Sequence, residues 1–365
     1  MIIGIPKEIK EGESRVGLAP RGVEILVRER HEVLIEKGAA EGSNFPDSDY
    51  QKVGAKIVSQ KEVWASQLVV KVKEPQESEF IFLRDGLILF TYLHLAALPK
   101  LTGILQAKNV TAIDYATVEL EDGSLPLLKP MSEIAGKLSF FLGAHYLEKN
   151  RGGKGILVSE GNVLILGGGT VGSNAAKMAL GTDAKVTMFE LKKEKCQILN
   201  EKFKNFNGKF QCLPFEEDKL KSSIKETDLL IGAVLIPGAK APKIITEEMV
   251  KTMEPGSAIV DVSIDQGGCI ETSFPTSHKE PIFIKHGVIH YCVPNMPGVV
   301  PRTSTIALAK ATLPYVLEIA NKGLQGAIRE ISALAKGVNV CQGKITNQKL
   351  AEALGKEYTD ILKII

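Results

Sequence analysis

No stretch of this sequence is apolar for the ~18 consecutive residues that a membrane-spanning helix needs. The opening Met1-Ile2-Ile3-Gly4-Ile5-Pro6-Lys7-Glu8 has no basic segment followed by an apolar run. Neither secretion nor membrane insertion is therefore expected, and a cytoplasmic location is. An excess of one charge is missing too. Forty-five lysines and arginines against 43 aspartates and glutamates leave +2, and Lys192, Lys193 and Lys195 stand close to acids rather than in one long block. That removes the electrostatic footprint expected of a nucleic-acid binder. There is no Cys-x-x-Cys pair: Cys196, Cys212, Cys269, Cys292 and Cys341 are scattered and odd in number. This pattern fits a reducing compartment with no metal site, most of the thiols serving as small inert hydrophobes. Internal repeats and low-complexity tracts are absent as well.

What is present is an ordinary globular composition, 44% apolar and 24% charged, over 365 residues. That length exceeds what one core usually serves and predicts two domains of roughly 150 to 200 residues. Near the start, β-branched runs at residues 2–5 and 33–36 alternate with amphipathic stretches at 20–30 and 46–53. This is the strand–helix rhythm of an α/β domain with a parallel sheet. Further strands are expected at 67–72 and 87–90, the first carrying Lys73 and the second running into Thr91-Tyr92-Leu93-His94. Polar groups just past the carboxyl ends of parallel strands sit where such sheets bind ligands. Helical spacing over 132–148 predicts a long connecting helix. A second βαβ series follows, with strands beginning at Val163 and continuing near 185–189, 229–231, 258–262 and 288–291, and the tail from Thr303 onward reads as helices.

After the apolar strand Val163-Leu164-Ile165-Leu166 comes Gly167-Gly168-Gly169-Thr170-Val171-Gly172, and a helix-like segment follows. This is Gly-x-Gly-x-x-Gly in its strand-to-helix context. Gly167 permits the tight turn, Gly169 the close approach of a pyrophosphate, and Gly172 tight helix-to-strand packing. The helix N-terminus offers unpaired N–H groups to the phosphates. Glu190, at the end of the next strand, can accept hydrogen bonds from both ribose hydroxyls and would repel a 2′-phosphate, which favours NAD over NADP. Lys192 and Lys193 stand close enough in sequence to reach such a phosphate, and the same motif can also hold FAD or another adenylate. The expected organisation is α/β: two Rossmann-like, doubly wound parallel-sheet domains separated by a cleft. Residues 1–128 and 302–365 form a substrate domain, and 129–301 the NAD-binding domain.

Oxidising an amino acid by hydride transfer needs a carboxylate anchor, a cation for the carbonyl oxygen and an acid/base. Arg15, Lys73 and His94 have the right chemistry. Spacing alone does not bring them together. Each also has a plainer reading: Arg15 as a surface ion-pair partner, Lys73 as a solvated strand end, His94 as a satisfied core residue, and Asp265 as a turn cap beside Gly267-Gly268. His31, His145, His278, His286 and His290 are read as structural or surface.

Across almost its whole length the chain resembles the alanine dehydrogenase family. The resemblance is carried by Gly4-Ile5-Pro6-Lys7-Glu8, Ser14-Arg15-Val16-Gly17-Leu18-Ala19-Pro20, Lys71-Val72-Lys73-Glu74-Pro75, Thr91-Tyr92-Leu93-His94-Leu95-Ala96-Ala97 and Pro130-Met131-Ser132-Glu133. Gly232-Ala233-Val234-Leu235-Ile236-Pro237-Gly238, Asp261-Val262-Ser263-Ile264-Asp265-Gln266-Gly267-Gly268 and Pro294-Asn295-Met296-Pro297-Gly298 continue it. The resemblance implies reversible NAD-dependent conversion of L-alanine to pyruvate and ammonium through iminopyruvate and a carbinolamine. Arg15 and Lys73 would bind substrate, His94 would be the acid/base, and Asp265 would assist beside the nicotinamide. Cofactor residues carried over by position are Ser132, Thr170, Val171, Glu190, Lys195, Val234, Leu235, Val262, Ser263, Ile264, Asp265, Val293, Pro294, Asn295 and Met296. A homohexamer is implied.

The chain departs from the family's pattern in a shorter connector at 153–162, in the turn Gly181-Thr182-Asp183-Ala184, and in Leu213-Pro214-Phe215 near the expected adenine end. Two rival functions remain at this point. One is a transhydrogenase-like NAD-binding component, which needs no substrate acid; the other is a non-catalytic NAD sensor.

Overall fold

The structure is a computed structural model that describes residues 1–206, 208–234 and 240–365. The chain divides into two compact units, Met1–Met131 with Gly298–Ile365, and Ser132–Pro297. The first six strands are β1 (Ile2–Ile5), β2 (Glu32–Glu36), β3 (Lys56–Val58), β4 (Leu68–Val70), β5 (Ile88–Thr91) and β6 (Thr111–Asp114). The second unit holds β7 (Asn162–Leu166), β8 (Lys185–Glu190), β9 (Phe210–Pro214), β10 (Leu229–Gly232), β11 (Ala258–Asp261), β12 (Ile282–Lys285) and β13 (Val288–Tyr291). The chain returns to the first sheet with β14 (Val338–Cys341) and β15 (Lys344–Ile345).

Both sheets are doubly wound. In the first the order is β15-β14-β6-β5-β4-β1-β2-β3, and in the second β12-β13-β11-β10-β7-β8-β9. Leaving out the antiparallel edge strands, each reads as the Rossmann order, reversing between β1 and β4 in one unit and between β7 and β10 in the other. Central strands such as β4, β10 and β11 are buried at every residue, as strands covered by helices on both faces must be. Helix Thr170–Gly181 buries Gly172, Ala175, Ala176, Ala179 and Leu180, a helical stripe of mostly small side chains that lets it lie close to the sheet.

Two expectations need correction. The tail is not all helix: after the helix Pro301–Glu330, kinked at Gly323, and Ser332–Gly337, the chain forms β14 and β15. Four residues, Val338-Asn339-Val340-Cys341, are too few to show alternation, and their strand state comes from antiparallel pairing with β6, a partner far away in sequence. The second sheet is also not wholly parallel, because β12 pairs antiparallel with β13. His286 and Gly287 both take positive φ in the two-residue turn between these strands, as a type I′ hairpin requires.

A charged cluster lies inside the first unit. Lys71 Nζ is 2.9 Å from Glu79 and 3.2 Å from Glu8, all three side chains being fully or almost fully buried. Glu8 Oε1 also accepts the N–H groups of Val72 at 2.6 Å and Lys73 at 3.3 Å, so the cluster holds the chain leaving β4. Burial works against the lysine's charge, but Glu8 and Glu79 outweigh it and raise its pKa. Removing the cation strands two carboxylates away from water. Lys71→Met should cost about 3 to 5 kcal/mol of stability in urea unfolding; an unchanged midpoint would show that the three charges do not support this unit.

Candidate active site

The three catalytic and substrate candidates of the first unit follow three strand ends. Arg15 lies on the loop after β1, Lys73 follows β4, and His94 follows β5, the strands on either side of the order reversal. The ends of β4 and β5 are tied together: the Thr91 hydroxyl donates to the carbonyl of Lys73 at 2.9 Å, and the Tyr92 N–H to Val72 at 3.3 Å.

Arg15 is 2% exposed and is no surface ion-pair partner. Its Nε and Nη2 grip Glu13 at 2.7 and 2.5 Å, and Nη1 lies 3.1 Å from Met131 Sδ. A recess of about 190 Å³, lined among others by Lys7, Glu8, Glu13 and Arg15, opens here. Lys73 is half-buried and makes no ion pair among the described residues. Burial, and then repulsion from Arg15, lowers its pKa.

His94 is exposed, so it is not a packed core histidine. It adopts a left-handed conformation (φ 52°, ψ 38°), and its ring stacks on Tyr92 at 6.2 Å and 10°. The buried, satisfied histidine is His290, whose Nε2 is 2.8 Å from Thr272 and whose Nδ1 is 3.0 Å from the Val288 carbonyl. Burial pushes its pKa down to about 4.

In the second unit the glycine turn sits where the order reverses. Gly167 has φ 92°, and a methyl group there would meet the Ala233 carbonyl at 2.7 Å. At Gly172 a methyl would lie 1.9 Å from the Gly167 carbonyl, whereas at Gly169 it would meet nothing within 4 Å. The space over the helix N-terminus is thus open, and its N-cap residue, Gly169, makes no side-chain capping bond. Thr170 is exposed and Val171 half-buried on its first turn. Glu190 faces this turn: Oε2 accepts the Gly168 N–H at 2.9 Å and lies 2.8 Å from Lys195 Nζ, while Oε1 accepts the Leu191 N–H at 2.9 Å. Burial opposes its charge, but Lys195 and Gly168 prevail and lower its pKa. It is Lys195 that pairs with the acid; Lys192 and Lys193 are exposed.

The remaining nucleotide candidates are stitched together by side-chain oxygens. Ser263 Oγ accepts the Val234 N–H at 3.0 Å, and Asp265 Oδ1 accepts the Asn295 N–H at 3.1 Å. Asp265 is exposed, on the short helix Val262–Gln266. The turn beside Gly267-Gly268 is capped instead by Asp261, whose carboxylate takes the N–H groups of Ser263, Cys269 and Ile270 at 3.1, 3.0 and 3.3 Å. Ile264, Val293 and Met296 point into packed interior, so what they can offer a ligand is backbone. Val262, Pro294 and Asn295 are half-buried, as is Ser132 on the helix Lys129–Tyr146. Leu235 lies outside the described residues.

Sequence reasoning missed Glu13, Tyr92 and Asp261. Each lies within or beside a quoted motif, but their work is to hold other residues, which spacing does not reveal. Glu13 gives a test. Burial raises its pKa, yet the hydrogen bonds and charge of Arg15 hold it down to about 2. Its folded pKa lies below the unfolded one, so its contribution to stability is present above the usual carboxylate range and is lost as pH falls toward 2. Glu13→Gln should therefore lower the melting temperature clearly at pH 6.5 and much less at pH 3. A gap that does not narrow would rule this linkage out.

The comparisons with known proteins agree over the whole chain. Residues 4–135 match the family model described as alanine dehydrogenase/PNT, N-terminal domain, and residues 139–348 its C-terminal domain. An alanine dehydrogenase of Staphylococcus saprophyticus is 52% identical over 369 residues, covering 99% of each chain. One of Bacillus subtilis is 51% identical over 373 residues, covering 100% of this chain and 98% of its own. A solved L-alanine dehydrogenase structure superposes with a TM-score of 0.94 at 47% identity, covering 97% of this chain and 99% of that one. A transhydrogenase from Sinorhizobium meliloti, 20% identical, has a TM-score of 0.84 over 95% of this chain and all of its own, and shares the fold. With two doubly wound sheets, a glycine fingerprint at one reversal and a cation–histidine set at the other, the chain belongs to the alanine dehydrogenase/PNT family.

Proposed function

We propose that this protein is an NAD-dependent L-alanine dehydrogenase that reversibly converts L-alanine to pyruvate and ammonium. The observation that carries the reading is the joint presence of Arg15, Lys73, His94 and Asp265 in a chain about half identical, from end to end, to proteins named alanine dehydrogenase. The open space above Gly169, the uncapped helix N-terminus and the carboxylate of Glu190 suit an NAD pyrophosphate and adenosine ribose. When bound, NAD supplies the acceptor for the hydride on the α-carbon of alanine. Ser132, Val234, Leu235, Val262, Ser263, Ile264 and the segment Val293, Pro294, Asn295 and Met296 complete its site.

Within the substrate domain, Lys73 and Arg15 hold the carboxylate and carbonyl oxygens, Arg15 fixed in direction by Glu13. Lys73 stabilises negative charge as it develops on oxygen. His94 serves as acid/base: it takes a proton from water adding to iminopyruvate, and it returns one to nitrogen as the carbinolamine collapses. Asp265 assists beside the nicotinamide. The same reading carries a homohexameric assembly in the cytoplasm, its subunit number measurable by sedimentation.

The test is NADH absorbance with NAD and L-alanine, set beside D-alanine, glycine, serine and 2-aminobutyrate, and in reverse with pyruvate and NADH with or without ammonium. Turnover specific to L-alanine, and reversed only with ammonium, is expected. His94→Ala should lower kcat by about 10² to 10⁴-fold while NAD binding stays within about twofold. An absence of turnover despite NAD binding would instead favour a transhydrogenase-like component or an NAD sensor.

A further inference from the structure

We propose that Asp261 is a positioning residue for the nicotinamide half of the dinucleotide, a buried carboxylate that fastens the loop after β11, through Ser263, to the chain leaving β10. The inference rests on the NAD reading above and does not depend on which substrate is oxidised.

The order of the sheet sets the direction of a bound dinucleotide. β7 leads into the glycine turn, β8 lies on one side of it and ends in Glu190, and β10 and β11 lie on the other. A dinucleotide with its pyrophosphate at the turn and its adenosine ribose at Glu190 extends its nicotinamide half across the reversal, toward the carboxyl ends of β10 and β11. Those ends are paired in register, Gly232 with Asp261, the last residue of β11. The residues just beyond them, Val234 on one side and Val262 to Asp265 on the other, are the cofactor candidates of this half.

Asp261 is 1% exposed, and each of its oxygens takes two donors. Oδ1 accepts the Ser263 N–H at 3.1 Å and the Cys269 thiol at 3.6 Å; Oδ2 accepts the N–H groups of Cys269 at 3.0 Å and Ile270 at 3.3 Å. Between these donors run the short helix Val262–Gln266 and Gly267-Gly268, so one carboxylate closes the whole loop. Ser263 passes the constraint on, because its Oγ accepts the Val234 N–H at 3.0 Å. Glycines leave room for the carboxylate. A methyl at Gly232 would lie 2.9 Å from Oδ1 and 2.6 Å from Cys269 Sγ, and one at Gly268, where φ is 76°, would lie 2.7 Å from Oδ2. An asparagine has the same shape but replaces one acceptor by an NH2 donor, and that donor faces two other donors whichever way the amide is turned. The loop then loses its closure on one side while the glycine turn and Glu190, on the far side of β10, keep theirs.

The test compares the two halves of the ligand. NADH, and ADP, which has the adenosine and both phosphates but no nicotinamide riboside, are titrated calorimetrically into the full-length protein. In Asp261→Asn the Kd for NADH should rise about tenfold while that for ADP stays within about twofold. Ser263→Ala removes the bond to Val234 and should raise the Kd for NADH about threefold, with ADP again little changed; it carries the test should the asparagine variant fail to fold. A general loss of structure would weaken both ligands alike. An ADP affinity that falls as far as that for NADH, or an NADH affinity that does not fall, would overturn the proposal. Wild-type protein that binds no NADH would sink the NAD reading and this inference with it. Protein that binds NADH, shows the expected difference between the ligands and leaves alanine untouched would sink the alanine chemistry alone.

Discussion

Everything the second unit offers a nucleotide depends on how closely one helix approaches the strands beneath it. Helix Thr170–Gly181 starts so near the end of β7 that a methyl at Gly172 would lie 1.9 Å from the Gly167 carbonyl. From the other side, the helix Lys129–Tyr146 comes in so far that a methyl at Gly136 would lie 2.2 Å from the Val171 carbonyl. Glycine at these positions is a steric requirement and not a matter of flexibility. Close packing aims the uncapped first turn into open space above Gly169 and brings the Gly168 N–H within 2.9 Å of Glu190. Any residue that pushed this helix outward would move the N–H groups of its first turn away from the Glu190 carboxylate.

The first unit has the same strand order without the glycines and solves the positioning problem with buried charge. Glu8 takes the N–H groups of Val72 and Lys73 while pairing with Lys71, and Glu13 engages the Arg15 fork. Buried ion clusters of this kind add little net stability against an apolar alternative, but they are directional. Here they fix backbone and guanidinium at strand ends where loops alone would leave both mobile. Lys73 is left half-buried and without an ion pair among the described residues, next to a cation that lowers its pKa. Such a lysine gains by meeting an anionic substrate.

The parts of this arrangement that depend on local chemistry were legible in the sequence. The fingerprint Gly167 to Gly172, the acid at the end of β8, and the polar residues just past β4 and β5 all lie where periodicity and turn chemistry put them. What was not legible depends on contacts across long stretches of chain. β14 is a strand because β6 is there to pair with it, some 220 residues earlier. Asp265 was open to reading as a turn cap, but a second aspartate four residues earlier takes that task, and only the hydrogen bonds distinguish Asp261 from Asp265. Likewise a lone arginine was open to reading as a surface residue, and only its 2% exposure removes that option.

The two units also show how little the fold decides by itself. Both sheets reverse direction at an equivalent point, and both present loops there. In one, the loop after the first strand is a glycine turn running straight into a helix, so the crevice presents N–H donors and a partial positive charge. In the other, the chain after β1 wanders through Glu8, Glu13 and Arg15 before its helix begins at Pro20, and the crevice presents charged side chains instead. The first suits a dinucleotide, whose phosphates are best held by backbone; the second suits a small carboxylate, for which a guanidinium and an ammonium give direction as well as charge. One architecture used twice, with a different loop after its first strand, thus presents backbone donors at one crevice and charged side chains at the other.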